Sequence, residues 1–257
     1  MITVVKIGGN IINDEAALAR FLDAFAQLEG PKILVHGGGR LATQLAAQLG
    51  IETTMIDGRR VTDEPTLNVV TMVYAGLTNK RIVAQLDARR CASIGLSGAD
   101  ASVITATRRP AIPIDFGFVG DIDAERVDTT FIQSLLDRQI TPVFCSIMHN
   151  GAGQLLNCNA DSVASAVAMA LSATDSVRLI YCFEKQGVLR DVNDEQSVIA
   201  HISRDDFRSL KEQGIINSGM LPKIENAFKA IDNGVSSVVI KHADHLLDNI
   251  GTTLSNQ

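Results

Sequence analysis

Short, continuously apolar segments alternate with amphipathic segments along most of this chain. Residues 2–7 read ITVVKI and residues 32–36 read KILVH, and each is followed by a stretch with apolar residues at helical spacing. Strands that lack polar alternation are typical of parallel sheets covered by helices on both faces. The alternation therefore predicts an α/β fold, a three-layer αβα sandwich with an open, mainly parallel central sheet.

The length and the rhythm of the pattern suggest how this fold is divided. With 257 residues, the chain is long enough for one large domain or two smaller ones. The strand–helix pattern restarts after the SATDS segment at 172–176. We expect two lobes, 1–174 and 175–257, without a Pro/Gly/Ser-rich linker, and a single sheet through both lobes also fits the pattern.

Composition excludes several classes of function. The net charge is −6, so the chain does not attract nucleic acid or an anionic membrane in bulk. No apolar run approaches the roughly 20 residues that span a bilayer, and Met1 leads directly into a strand rather than a signal peptide. Four scattered cysteines indicate buried, reduced thiols, and no cluster indicates a metal site. We expect a cytoplasmic protein.

Two of the predicted strands end in glycine clusters. KIGGN, with Lys6, Gly8 and Gly9, follows the first strand, and VHGGGR, with Gly38 and Gly39, follows the second. Both lack the spacing of a P-loop or of a dinucleotide-binding turn. A plain tight turn explains either cluster alone. Side by side at the carboxyl edge of a parallel sheet, however, the bare turns and Lys6 predict an anion-binding cavity.

Three further segments carry polar residues that could do chemistry. NCNAD ends in Asp161, GMLPK ends in Lys223, and DGRR contains Arg59 and Arg60. Capping of the following helix explains NCNAD equally well. Solvated surface positions explain the lysine and the two arginines. Each segment taken alone leaves these alternatives open.

Together, these segments resemble the amino acid kinase family. KIGGN, VHGGGR, DGRRVT, GLSGAD, NCNAD and GMLPK occur in that family's order and spacing, and the likeness runs from Lys6 to the closing GTTLSN. It is strongest to the members that phosphorylate the γ-carboxylate of N-acetyl-L-glutamate in arginine biosynthesis. The resemblance implies the family's αβα fold, with the amino acid bound by the N-terminal lobe and ATP by the C-terminal lobe. Mg²⁺ is expected to arrive with the nucleotide.

The resemblance also implies roles for individual residues. Lys6 and Lys223 match the lysines that neutralise charge on the transferring phosphoryl group, and Asp161 matches the carboxylate that orients both. The residues matched to the acyl-glutamate acceptor are Gly38, Gly39, Arg60 and Asn157. Those matched to the phosphoryl group are Gly8 and Gly9. Those matched to the nucleotide are Glu184, Gly187, Asn217 and Gly219.

The sequence departs from the family pattern at two places. Glu184 stands where the family has an aspartate, in CFEKQGVL. Arg59 stands where the family has an apolar residue beside the acyl pocket. Because a guanidinium favours a carboxylate over a methyl group, the acceptor could carry a second carboxylate on its acyl group, as N-succinyl-L-glutamate does. The alternative is that Arg59 points to solvent.

Other functions remain as competing hypotheses. The first strand begins at about residue 2, without the N-terminal helix of arginine-inhibited hexameric relatives, so we expect a homodimer without arginine feedback. A non-catalytic effector-binding module of the same fold would have no need of Lys6, Asp161 and Lys223 together. A γ-carboxylate is already a nucleophile and needs no general base, so His36 is expected to be structural.

Overall fold

The computed structural model describes residues 1–56, 58–191, 193–216 and 220–256, with the backbone alone at Pro222. Its strands in chain order are β1 (Ile2–Ile7), β2 (Lys32–His36), β3 (Met55–Ile56), β4 (Arg59–Arg60), β5 (Ser93–Leu96), β6 (Thr107–Arg108), β7 (Gly120–Asp121), β8 (Thr141–Cys145), β9 (Ile147–His149), β10 (Leu155–Asn157), β11 (Val177–Phe183), β12 (His201–Ile202), β13 (Ser237–His242) and β14 (Thr252–Leu254). Its α-helices are α1 (Gly9–Asn13), α2 (Glu15–Gln27), α3 (Gly39–Gln48), α4 (Glu64–Thr71), α5 (Asn79–Ala88), α6 (Thr129–Leu136), α7 (Ala160–Leu171), α8 (Arg204–Glu212) and α9 (Leu221–Asp232).

A central sheet of eight strands organises the chain, in the order β12-β14-β13-β11-β1-β2-β8-β5. Its neighbouring strands pair in parallel except β13 with β14. The predicted αβα sandwich with a mainly parallel sheet is confirmed. Strand β1 pairs with β2 on one side and with β11 on the other, so one continuous sheet joins the two predicted lobes.

The two faces of β1 lead to different helices. Ile2 and Val4 belong to the core that contains α7 and α9, whereas Val5 and Ile7 belong to the core that contains α2 and α5. Because side chains alternate along a strand, Lys6 shares its face with Val4. The strand therefore directs Lys6 toward α7.

The helical stretch after the β3–β4 hairpin differs from its prediction. In the sequence, the apolar residues of 65–89 recur at helical spacing and a glycine interrupts them at Gly76, which predicts one long helix with a break near that residue. Instead, α4 and α5 are joined by a π-helical turn over Met72–Thr78, and the helix continues through Gly76. A π-helical turn absorbs extra residues without ending the helix, and such turns often occur at functional sites. Tyr74 lies in this π-helical turn, which therefore determines the direction of its side chain.

Several smaller predictions are also answered by the structure. Residues 55–56 and 59–60 form the hairpin that Asp-Gly indicated, although Asp57 lies outside the described residues. The four cysteines are buried and free. In the described ranges, no helix has the length and apolarity needed to cross a membrane.

Candidate functional site

The two glycine turns lie side by side at the carboxyl edge of the sheet. Ile7, the last residue of β1, pairs in register with His36, the last residue of β2. Each turn opens a helix, since α1 begins at Gly9 and α3 begins at Gly39. The first N–H groups of a helix lack intrahelical partners and attract anions. Pattern analysis missed α1, a five-residue helix too short to show a period.

The turn after β1 provides fewer donors than the resemblance implied. The N–H of Gly8 donates to the carbonyl oxygen of Cys182 at 2.8 Å, which extends the β1–β11 pairing. A side chain at Gly8 would lie 3.4 Å from that oxygen and from Cβ of Phe183, whereas Gly9 faces open space. Gly8 thus contributes a close backbone approach, and the unpaired donors begin at Gly9.

His36 holds the second turn from beneath. Its Nδ1 donates to the carbonyl oxygen of Gly37 at 2.7 Å, and its Nε2 accepts from Nδ2 of Asn79 at 3.0 Å. Complete burial and, to a smaller extent, the charge of Lys80 lower the pKa of His36 to about 4, although the hydrogen bond to Gly37 acts in the opposite direction. The ring is therefore neutral and structural, as expected.

Lys6, Asp161 and Lys223 line one small cavity at this edge. Nζ of Lys6 lies 2.7 Å from Oδ1 of Asp161, and the two side chains are 17% and 27% exposed. The ammonium of Lys223 lies 4.5 Å from the centroid of the Phe183 ring. Two cations and one carboxylate thus give the cavity a net positive charge.

The capping alternative for NCNAD is resolved by Asn159. Its Oδ1 accepts from the N–H groups of Asp161 and Ser162, which caps α7. Asp161 is left to pair with Lys6. Burial alone would raise the pKa of Asp161, but the charge and hydrogen bond of Lys6, with the charge of Lys223, lower it overall.

A second cavity, of about 170 Å³, lies beside the glycine turn after β2. Arg60 is buried in its wall and donates to the carbonyl oxygen of Gly39, to Oγ1 of Thr43 and to Oγ1 of Thr53. These bonds use three of the five guanidinium N–H groups. The Tyr74 hydroxyl also interacts with this guanidinium, so at least one N–H group remains for a ligand such as a carboxylate.

Asn157 and Arg59 complete the polar wall of this cavity. Nδ2 of Asn157 donates to Oγ1 of Thr62 at 3.1 Å, which fixes the amide while its oxygen has no described partner. Arg59 is half-buried, and its charge acts on the buried Cys158 thiol across the cavity. Its guanidinium makes no hydrogen bond or ion pair with the described residues.

Sequence reasoning missed Tyr74 and Ser146, which also line this cavity. Ser146 directly follows β8, so its place at the carboxyl end of a parallel strand was an available signal. Tyr74 comes from the π-helical turn, which has no periodic signal in the amino-acid pattern.

The residues predicted to bind the nucleotide lie in different surroundings. Gly187 lines a larger cavity of about 630 Å³, whose walls are mostly apolar side chains and backbone. Lys185 also lines it, while Glu184 is exposed and does not. Asn217 and Gly219 lie outside the described residues.

A parallel αβα sheet with two cations and anion-binding turns at its carboxyl edge has the parts of a phosphotransferase. Residues 1–242 match the sequence profile of the amino acid kinase family, and the chain belongs to this family. The expected family is therefore confirmed.

Individual relatives extend this likeness over nearly the whole chain. The chain is 51% identical over 253 residues to the acetylglutamate kinase of Bacteroides thetaiotaomicron, covering 98% of both chains. It is 37% identical over 253 residues to the acetylglutamate kinase of Methanopyrus kandleri, covering 97% of this chain and 98% of the relative.

Solved structures share the fold. The smu.665 protein of Streptococcus mutans UA159 is 28% identical, with a TM-score of 0.79, and covers 100% of this chain and 99% of its own. The N-acetylglutamate synthase of Neisseria gonorrhoeae complexed with coenzyme A and N-acetyl-glutamate is 23% identical, with a TM-score of 0.83. That match covers 100% of this chain and 59% of the synthase, and at this identity it shows the fold alone.

Proposed function

We propose that this chain transfers the γ-phosphoryl group of ATP to the γ-carboxylate of N-acetyl-L-glutamate, in arginine biosynthesis. The relatives named acetylglutamate kinase and the family membership support the reaction. The observation that carries it is the Lys6–Asp161 pair at 2.7 Å with Lys223 in the same cavity. The cavity beside the glycine turn after β2, called the acceptor cavity below, is lined by Ala160, and the cavity lined by Lys6 and Lys223, called the cation cavity, is lined by Asp161. Because these two residues are neighbours in the chain, the two cavities adjoin.

The chemical step needs charge stabilisation more than acid or base. An oxygen of the γ-carboxylate attacks the γ-phosphorus, and the bond from that phosphorus to the β–γ bridging oxygen breaks, releasing ADP. We assign Lys6 and Lys223 to neutralise charge on the transferring group, and Asp161 to hold Lys6 in position. The N–H groups that begin at Gly9 and Gly39 would donate to the phosphoryl and carboxylate oxygens.

We assign the acceptor to residues within 1–174 and ATP to residues within 175–257. Arg60 and Asn157 would bind the α-carboxylate of the acceptor, and Gly38 and Gly39 would approach its γ-carboxylate. Gly187 would approach the nucleotide, and the mostly apolar cavity around it suits a purine ring.

Mg²⁺ is proposed as the counter-ion that the nucleotide brings. Within the described ranges, no group of three or more His, Cys, Asp or Glu side chains is arranged to hold a metal. Asp161, the carboxylate of the cation cavity, is paired with Lys6. We propose that phosphates and water provide most of the Mg²⁺ ligands.

The reaction is tested by trapping its product. The purified chain is incubated with MgATP, hydroxylamine and N-acetyl-L-glutamate, and the hydroxamate formed from the acyl phosphate is measured. We expect hydroxamate formation that depends on the acceptor and matches ADP release. Unacylated L-glutamate is the control. Absence of turnover with any N-acyl-glutamate would overturn the assignment.

A second candidate acceptor, N-succinyl-L-glutamate, is favoured by Arg59. This cation lines the acceptor cavity and has no partner among the described residues, so an acyl group that ends in a carboxylate could pair with it. We expect Arg59→Leu to lower kcat/KM for the succinyl substrate about 10-fold or more relative to the acetyl substrate. Arg59→Lys, which keeps the charge, is the matched control. An unchanged ratio in Arg59→Leu would sink this candidate.

We also propose a cytoplasmic homodimer, which the family resemblance implies. Met72 and Leu77, on the π-helical turn, are about half exposed and offer apolar surface for such contact. Sedimentation velocity would measure the stoichiometry.

A further inference from the structure

Tyr74 occupies an unusual place in the acceptor cavity. It lies within the π-helical turn over Met72–Thr78, and it is only 6% exposed. Its ring belongs to an apolar cluster with Ala42, Val70 and Cys145, yet the residue also lines the cavity. A tyrosine at such a boundary presents an apolar body to the core and a polar end to the site.

The ring of Tyr74 lies directly against the second glycine turn. A Cβ placed on Gly38 would lie 2.8 Å from Cδ1 and 3.1 Å from Cε1 of Tyr74. The first distance is shorter than real Cβ contacts allow, and the edge of a packed ring cannot move away as the end of a flexible chain can. The Tyr74 ring, with Oγ1 of Thr78 at 3.3 Å on the same side, therefore leaves no room for a side chain at Gly38.

The hydroxyl of Tyr74 and the guanidinium of Arg60 both lie close to Gly39, the residue at which α3 begins. From the Cβ position of Gly39, the Tyr74 hydroxyl is 3.7 Å away and Nη2 of Arg60 is 3.8 Å away. Burial raises the pKa of Tyr74, and the charge of Arg60 together with a hydrogen bond from its side chain partly offsets that rise. The phenol is therefore neutral, and its oxygen interacts with a permanent cation.

These contacts go beyond the needs of packing. A phenylalanine would fill the apolar cluster equally well but would place no oxygen beside Arg60. The same side chain thus touches Gly38, Gly39 and Arg60, which are three of the residues assigned to the acceptor.

We propose that Tyr74 is a positioning residue of the acceptor site: its ring sets the position of the Gly38–Gly39 turn, and its hydroxyl orients the Arg60 guanidinium. Tyr74 acts through these residues and not on the reacting atoms. The kinetic test of this inference rests on the proposed function, whereas its unfolding test requires only the fold.

The hydroxyl is tested by Tyr74→Phe, which keeps the ring. We expect the KM for the N-acyl-glutamate acceptor to rise about 10-fold, since an oriented contact to a charged group is lost. The KM for ATP and the melting temperature should stay near those of the wild-type chain. Equal acceptor KM values in the variant and the wild type would overturn the role of the hydroxyl.

The ring is tested by a double-variant cycle of Gly38→Ala, Tyr74→Ala and their combination. We expect Gly38→Ala to lower kcat/KM for the acceptor about 10- to 100-fold through overpacking. In the Tyr74→Ala background, the same methyl group should cost less than about 3-fold, because the shortest contacts are gone and only Oγ1 of Thr78, at 3.3 Å, remains close to it. Gly76→Ala, where a Cβ meets open space, is the control for adding a methyl group nearby.

The cycle is also measured by urea unfolding, which requires no substrate. If the wild type turns over no N-acyl-glutamate but Gly38→Ala is destabilising only when Tyr74 is present, the proposed function fails and the ring contact stands. If the effects of Gly38→Ala are the same in both backgrounds, in unfolding and in kinetics, the positioning role of the ring is overturned.

Discussion

At the carboxyl edge of the sheet, the cavity assigned to the acceptor (the acceptor side) and the cavity assigned to ATP (the nucleotide side) are built in different ways. The acceptor cavity is small, about 170 Å³, and its polar side chains Arg60 and Asn157 are both 7% exposed. Each is already held by hydrogen bonds to its surroundings. The nucleotide-side cavity is larger, about 630 Å³, and most of its wall is apolar side chain and backbone.

This difference agrees with what each proposed ligand offers for recognition. A small dicarboxylate is distinguished from its analogues by buried polar groups that a wrong ligand would leave unpaired. A nucleotide offers a large flat ring for apolar contact and a charged phosphate tail. A substitution on one side should therefore raise the KM of the substrate bound there and leave the KM of the other substrate unchanged.

Lys6 and Lys223, which line the cation cavity, are also held in different ways. Lys6 extends from β1 and is fixed by an ion pair with Asp161, whereas Lys223 extends from the first turn of α9 and rests on the Phe183 ring. Both Lys6→Met and Lys223→Met should lower kcat by about 10²–10³, as loss of a preorganised charge does in other sites. Steady-state kinetics with both substrates measures this effect, which is the largest we expect.

Stability should distinguish the two variants. Lys6→Met leaves a largely buried Asp161 carboxylate without its ion-pair partner, so its unfolding free energy should fall more than that of Lys223→Met. Lys229→Met, an exposed change on the same helix as Lys223, is the matched control. If either lysine variant kept more than about a third of wild-type kcat, its assignment to the phosphoryl group would be wrong.

The acceptor side should also determine how stability depends on pH. His36 has a pKa of about 4 in the folded chain, below its unfolded value of 6.5. Between these values, the unfolded state binds more protons, so stability increases with pH. As pH falls from 6.5 to 4, the folded state should lose roughly 3 kcal/mol. Asp161, whose pKa is lowered from 3.8, adds a further loss only below that window.

The measurement is the free energy of unfolding in urea at several pH values. His36→Gln should remove most of this slope, and His201→Gln, at an exposed position on the edge strand β12, should leave it unchanged. A wild-type slope that persists in His36→Gln would show that other groups determine it.

Sequence reasoning reached the parts of this site that follow from strand ends and regular periods. Continuous apolar strands predicted the parallel sheet, and glycines after two of them predicted the edge at which ligands bind. The face of Lys6 follows from alternation in β1. The unpredicted parts depend on irregular geometry, which has no periodic signal in the sequence. They are the π-helical turn that directs Tyr74 and the hydrogen bond that occupies the N–H of Gly8.

The nucleotide side offers a smaller and complementary test at Thr252. This buried residue of β14 accepts a hydrogen bond from the N–H of Val188 at 2.8 Å. A Cβ on Gly187 would lie 2.7 Å from its Oγ1, so the loop rests closely on this hydroxyl. Thr252→Val keeps the shape but leaves the buried N–H of Val188 unpaired, at a cost of about 1–3 kcal/mol.

We expect Thr252→Val to raise the KM for ATP about 5-fold, as the Gly187–Val188 backbone shifts from its position. Thr252→Ser, which keeps the acceptor oxygen, should retain the wild-type value. The KM for the N-acyl-glutamate should not change in either variant, because the loop touches none of the residues assigned to the acceptor. A parallel rise in both KM values would mean that the two sides move together, and the separation between a rigid acceptor cavity and an independent nucleotide cavity would have to be abandoned.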